Sequence, residues 1–167
     1  MPGPIKFTTH LQPLEHLKMT LIEVPAEIVK KLGGIKNQRL QCTVNKSVAW
    51  QCGLVAHKKG SAYISLNKKL LKELKAGVGD EVNVSLIKDT SKYGMTMSEE
   101  LKTLLKQDKE GSRRFHLLAP GKQRYIIYYV SQVKGSQLRI DRAIRLIENL
   151  KRAKEGKESF GEIPKKK

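Results

Sequence analysis

Between Met19 and Leu86 the hydrophobic positions run twice through the same series of periods. The segment MTLIEVPAEIVKKLGGIKNQRLQCTV, starting at Met19, aligns without a gap on SAYISLNKKLLKELKAGVGDEVNVSL, starting at Ser61, an offset of 42 residues. Leu21 meets Tyr63, Ile22 meets Ile64, Val24 meets Leu66, Ile28 meets Leu70, Val29 meets Leu71 and Leu32 meets Leu74. Further on, Leu40, Cys42 and Val44 meet Val82, Val84 and Leu86. Each copy predicts a short strand, one helical block with apolar residues at i, i+1 and i+4, a glycine break and a strand alternating by two. Pro25 suits a first helical turn, where a missing N–H costs nothing. Gly33 and Gly34, and Gly77 and Gly79, suit the reversal from helix to strand, which needs positive φ.

A further strand is predicted ahead of each copy, Ile5 to Leu11 and Val48 to Ala56, so each half reads strand, strand, short helix, strand. Two such halves can bury their apolar faces only against each other. The expected fold is α+β: a small closed or half-closed β-barrel with pseudo-twofold symmetry over residues 1–90, followed by helices.

VPAEIVKKLGG and GVGDEVNVSL resemble the two parts of the strand–helix–GD–strand element of AbrB-like swapped-hairpin barrels, in which two chains normally supply one copy each. A single chain carrying both copies is similar to a family of unknown function whose N-terminal domain is a double-split barrel. The first copy has Asn37 and Gln38 where the second has the turn residues Gly79 and Asp80.

From Ser98 onward the period is helical. Ser98 is a good N-cap, Glu99 and Glu100 favour the first turn, and Leu101, Leu104 and Leu105 form a stripe. Gly111 is read as a break, SRRFHLLAP as a short helix ending before Pro120, and GKQRYIIYYVSQVK as a helix ending at Gly135. Ser136 then caps a last helix with Ile140, Ala143, Ile144, Ile147 and Leu150 on one side and Arg139, Arg142, Arg145 and Arg152 roughly opposite. Residues 91–155 form this helical segment, and the basic tail, residues 156–167, has too little apolar content to pack and is expected to be disordered. LLAPGKQRYIIYYVSQVKGSQLRIDRAIRLIENL resembles, in order and spacing, the C-terminal segment of the bacteriocin-protection, YdeI/OmpD-associated family. The shared marks are Pro120 to Arg124, a helix closing on Lys134, and arginines at Arg139 and Arg142. Gln137 and Leu138 replace the acidic-threonine pair that often precedes the first of those arginines. The barrel and this segment together are the usual two-part arrangement of that family, which the resemblance implies here.

Charge narrows the partners. The chain has 167 residues, 33 of them Lys or Arg and 16 Asp or Glu, a formal net charge of +17. The excess is spread over both halves and should attract polyanions. The longest apolar run, Tyr125 to Val130, is far shorter than the roughly 20 residues of a membrane span. The N-terminal residues lack the pattern of a secretory signal, and two cysteines make no disulfide framework, so a cytoplasmic location is expected. Candidate anion or nucleic-acid contacts are Arg113, Arg114, Arg124, Arg139, Arg142, Arg145, Arg152, Lys58, Lys59, Lys68 and Lys69.

Catalytic chemistry finds little to work with. His10, His16, His57 and His116 stand apart without metal-ligand spacing, Cys42 alternates inward with Leu40 and Val44, and no GxSxG, P-loop or dinucleotide fingerprint occurs. No catalytic residue, metal or cofactor is assigned. Tyr125, Tyr128 and Tyr129 read either as a stacking platform for bases beside Arg124 or as part of a helix packed into the core. The expected protein is a monomeric, non-enzymatic member of that family, and the resemblance implies a contribution to antimicrobial-peptide tolerance through an unknown protein or polyanionic partner. Direct capture of cationic peptides conflicts with a charge of +17. The alternative is nucleic-acid binding through a basic surface on the barrel.

Overall fold

The computed structural model describes residues 2–166, so Met1 and Lys167, the outer ends of the expected barrel domain and tail, lie outside the described residues. The chain divides after Gly94 into two compact units.

The N-terminal unit carries β1 (Ile5–His10), β2 (Gln12–Leu14), β3 (Met19–Val24), α1 (Ala26–Leu32), β4 (Arg39–Val44), β5 (Val48–Gly53), β6 (Val55–Ala56), β7 (Ala62–Leu66), α2 (Lys68–Leu74) and β8 (Glu81–Lys88). Its strands form two antiparallel four-stranded sheets, ordered β1-β8-β4-β5 and β2-β3-β7-β6. Exchanging the elements of the two repeats turns each order into its own reverse. The register carries the same symmetry, because Ile22 pairs with Ile64 and Thr43 with Ser85, in both cases residues 42 positions apart. The first strands of the two halves, β1 and β5, are offset by 43 instead, so that Phe7 opposite Val84 answers Trp50 opposite Cys42.

The strands do not pair into one closed ring; each sheet keeps two edge strands. A single residue, Leu11 or Leu54, separates β1 from β2 and β5 from β6 where the chain passes from one sheet to the other. Leu11 is buried and exchanges backbone hydrogen bonds with Asp80 and Gly79, which fixes that corner. Between the sheets the alternating residues Leu40, Cys42, Val44, Val82, Val84 and Leu86 join Ile22, Ile64 and the buried faces of α1 and α2 in one core. Gly33, Gly34 and Gly79 take positive φ after the helices, as expected; Gly77 does not, and Lys75 adopts the left-handed conformation after α2 in its place. Pro25 is the N-cap of α1, one position ahead of the expected first turn.

The second unit packs α3 (Glu99–Gln107), α4 (Lys109–Leu117), α5 (Pro120–Ser131) and α6 (Ser136–Arg152). The Ser98 hydroxyl accepts a hydrogen bond from the Leu101 N–H, as its N-cap pattern predicts. The break expected at Gly111 falls at Asp108, whose carboxylate accepts from the Gly111 N–H and caps α4. Gly111 lies inside α4 because a Cβ there would come within 2.5 Å of Ile147 Cγ2; the glycine lets α4 and α6 approach. Gly135, not Ser136, is the N-cap residue of α6, and no side chain caps that end.

Two expectations are corrected here. Leu146, absent from the expected stripe, is fully buried, which turns the buried face of α6 away from Ile140 and Ile144, both exposed, and toward Arg139 and Arg142. The residues beyond Gly156 pack despite their low apolar content: Ile163 and Glu158 are buried, and Asn149 Nδ2 donates to the carbonyls of Ile163 and Lys165. Ile163 anchors the segment through apolar burial, and hydrogen bonds from Asn149 and Lys122 hold its carbonyls.

Candidate functional site

The candidate basic residues divide by what they touch. In the N-terminal unit Lys58 and Lys59 sit on the turn before β7 and line a small cleft with Thr9, Glu23 and Ser61, while Lys68 and Lys69 open α2. All four are exposed. Among the described residues no lysine of this unit lies in an ion pair, while His10 meets Glu81 at 3.7 Å. Its lysine charge is therefore presented to solvent, the condition under which counterion release can drive association with a polyanion.

The arginines of the helical unit are arranged differently. Arg114 is 5% exposed, donates to the carbonyls of Lys151 and Ala153, and pairs with Glu158 at 3.1 Å. It is removed from the set of surface anion contacts: its guanidinium closes the end of α6 and holds the C-terminal segment. Arg113 is exposed but bridges Glu110 and Glu155 at 2.8 and 2.6 Å, and both contacts raise its already high pKa. Arg142 donates to the Tyr129 carbonyl and lies 4.3 Å from the centroid of the Tyr129 ring, a cation–π contact. Arg124 and Arg145 are half-buried, and the Nε of Arg145 is buried without a hydrogen-bond partner. Only Arg152 of the α6 arginines is fully exposed, so the expected arginine back is not a continuous solvated surface.

Arg139 pairs with Glu100 at 2.9 Å and donates to the Val133 carbonyl. Glu100 also lines, with Ser136, a groove of about 400 Å³ between α3 and α6 whose apolar lining is Leu104, Ile140, Ala143 and Ile144. The guanidinium of Arg139, the Glu100 backbone N–H and the Ser136 hydroxyl together hold the Glu100 carboxyl down at about 2, against an ordinary 4.5. A carboxyl depressed in the folded state stabilises it above the ordinary value and loses that contribution as pH falls through the folded value. The helical unit is thus expected to lose stability as pH falls from about 4.5 toward about 2. In Arg139→Gln, thermal melts by circular dichroism should show a smaller fall over that window; an equal fall would assign it to other carboxylates.

The aromatic side chains give a mixed answer to the stacking question. Tyr125 is half-buried and meets Phe160 edge-on at 5.0 Å and Tyr129 at 5.9 Å, whereas Tyr128 is 53% exposed. Tyr125 and Tyr129 belong to a cluster that Lys122 and Arg142 border through their own cation–π contacts, and only Tyr128 faces solvent alone. Cys42 and Cys52 are buried free thiols in contact, and the hydrogen bond from Cys52, together with burial, pushes the Cys42 thiol far above its ordinary range. Among the described residues no three His, Cys, Asp or Glu side chains gather as a metal site would require. No helix among them is long and apolar enough to cross a membrane.

The structure thus defines a two-unit α+β protein in which a lysine surface on paired antiparallel sheets precedes a helical unit whose arginines are largely engaged within it. Residues 7–86 match the family model described as Domain of unknown function (DUF1905), and residues 94–153 match the model described as Bacteriocin-protection, YdeI or OmpD-Associated. The two matches fall on the two structural units, so each half of the chain is similar to one of these families. No curated protein matches the sequence.

Proposed function

We propose that the protein is a non-enzymatic cytoplasmic binding protein that contributes to bacteriocin protection through an anionic partner, engaged by the lysine surface of the N-terminal unit. The observation that carries this reading is that Lys58, Lys59, Lys68 and Lys69 are exposed and lie in no ion pair among the described residues, whereas the arginines Arg113, Arg114 and Arg139 are each bound to carboxylates. A net charge of +17 repels cationic peptides, so protection acts indirectly. Two thiols in contact that remain free suit a reducing compartment. The N-terminal unit is read as a single-chain, double-split relative of the AbrB-like barrel; self-reversing strand orders and residue pairs 42 apart support that reading.

A second reading, nucleic-acid binding, is favoured by the same free lysines together with solvent-facing Tyr128. Fluorescence anisotropy with labelled heparin, duplex DNA and single-stranded RNA tests both. Saturable binding of heparin at physiological salt supports the anionic-partner reading; preference for DNA or RNA over heparin moves the assignment to nucleic acid; absence of binding to all three overturns both.

A further inference from the structure

The outer face of the β1-β8-β4-β5 sheet carries an open trough of about 1050 Å³, and the residues lining it include two lysines and no carboxylate. Lys6 projects from edge strand β1 and Lys46 from the β4–β5 turn, and Asn45, Asn83, Thr43 and Ser85 line the space between. The Asn45 Oδ1 accepts from the Asn83 N–H, which fixes that amide with its own NH2 left to donate. The trough is therefore rich in donors and carries a positive charge at each of two separate points.

The pseudo-twofold supplies the second observation. Thr43 and Ser85, paired across the axis, belong to both halves of this face. On the other half, Lys88 takes the place of Lys46 and Gln51 on β5 takes the place of Thr8 on β1. There the chain itself covers the sheet: the segment leaving β8 lays the Asp89 carboxylate 2.8 Å from Gln51 Nε2 and the Ser91 hydroxyl 3.2 Å from the same nitrogen. The Asp89 N–H donates to the Arg39 carbonyl, continuing the β4–β8 pairing one residue past Lys88, and the Arg39 guanidinium donates to the Gly94 carbonyl, so the backbone that leaves the sheet after Asp89 is tied back to it at Gly94. In the first repeat the chain turns at Asn45 and Lys46 directly into β5, so no equivalent segment covers the trough.

We propose that the trough binds an extended acidic peptide segment of a partner protein, laid across the sheet as residues 89–94 lie across its pseudo-equivalent half, with carboxylates on Lys6 and Lys46. The internal occupant is polypeptide bearing a carboxylate and a hydroxyl, and the open half replaces Gln51 by a short threonine while adding Lys6, which makes room for the chain and supplies charge for its side groups. This deepens the proposed function by naming the partner's chemistry and its docking face, and it rests on that reading.

The test is anisotropy with the full chain and a fluorescein-labelled octapeptide of alternating Asp and Ser, its Asn-for-Asp counterpart, and an octamer of thymidylate. Saturable binding of the acidic peptide at physiological salt and none of the Asn peptide are expected. Lys6→Glu with Lys46→Glu should weaken it about tenfold or more, since like charges face each other at a docking site. Lys6→Gln with Lys46→Gln should fall between that variant and the parent. Lys30→Glu with Lys31→Glu, the same charge change on the exposed side of α1, should leave it within about twofold. Equal losses in the two charge-reversed variants overturn the trough while leaving the anionic-partner reading intact. Thymidylate binding with the Lys6 and Lys46 dependence, and no peptide binding, overturns the peptide assignment in favour of phosphodiester; failure of both probes overturns the proposal, with heparin binding deciding the broader reading separately.

Discussion

Replacing Arg114 by alanine is expected to destabilise the helical unit by about 3–5 kcal/mol, because it leaves the partner of a buried pair without its counter-charge. Both side chains are 6% exposed. The loss would not be confined to one contact: the carbonyls of Lys151 and Ala153 would lose their donor, at the point where α6 ends and the C-terminal segment folds back. Burial by itself would raise the Glu158 carboxyl, but its own N–H, Arg114 and the Gly156 N–H outweigh that and hold it below the usual glutamate range. The pair therefore stabilises the fold at neutral pH, and its contribution is lost as pH falls through the depressed folded value. Thermal melts of the full chain should show an earlier transition in Arg114→Ala. Glu158→Gln, which keeps an acceptor and removes the charge, should also destabilise. A melting curve unchanged by Arg114→Ala would show that the node does not hold the unit together.

Ile64→Ala and Ile22→Ala should each cost about 2–5 kcal/mol, the range for emptying a packed core position. Ile22 is fully buried and Ile64 is 1% exposed, and they face each other in the central β3–β7 pair. Because one cavity would be shared, the double variant should cost less or more than the sum, with coupling of about 0.5–3 kcal/mol. Urea denaturation followed by fluorescence of Trp50, which packs against the same core, reads the N-terminal unit specifically. Additivity within about 0.5 kcal/mol would contradict the placement of these two residues in contact across the axis.

The repeat was legible because each copy switches period in the same order, and a fixed offset of 42 residues places equivalent apolar positions in equivalent elements. The unequal offset of β1 and β5 was not, since Phe7 and Trp50 align only once the pairing register is known. In the helical unit, element types were readable from capping and apolar spacing, as at Ser98, but the fate of each arginine was not. Arg114 depends on groups 37 to 44 residues away, and Arg113 on Glu155 at a separation of 42, distances over which local pattern says nothing. The final segment packs through Ile163, the Tyr125–Phe160 ring contact and hydrogen bonds from Arg114 and Asn149, a set too sparse for a compositional signal. Lys58, Lys59, Lys68 and Lys69 stood out only as paired charges in the sequence; the turn before β7 and the start of α2 that expose them follow from the fold. Glu100 is legible as a first-turn acid, but Arg139 lies beside the buried face of α6 and not opposite it, because Leu146 extends that face toward Arg139.

The central claim is that binding charge resides on the lysines of the N-terminal unit and not on the arginines of α6. The direct measurement is the salt dependence of heparin or duplex DNA affinity for the parent chain, for Lys58, Lys59, Lys68 and Lys69 changed together to Gln, and for Arg139, Arg142 and Arg145 changed together to Gln, each verified as folded by circular dichroism. For duplex DNA the slope of log affinity against log salt is about −0.9 per phosphate neutralised. The account expects a shallower slope and weaker binding in the lysine variant and an unchanged slope in the arginine variant. A slope lost with the arginines and kept without the lysines would contradict it.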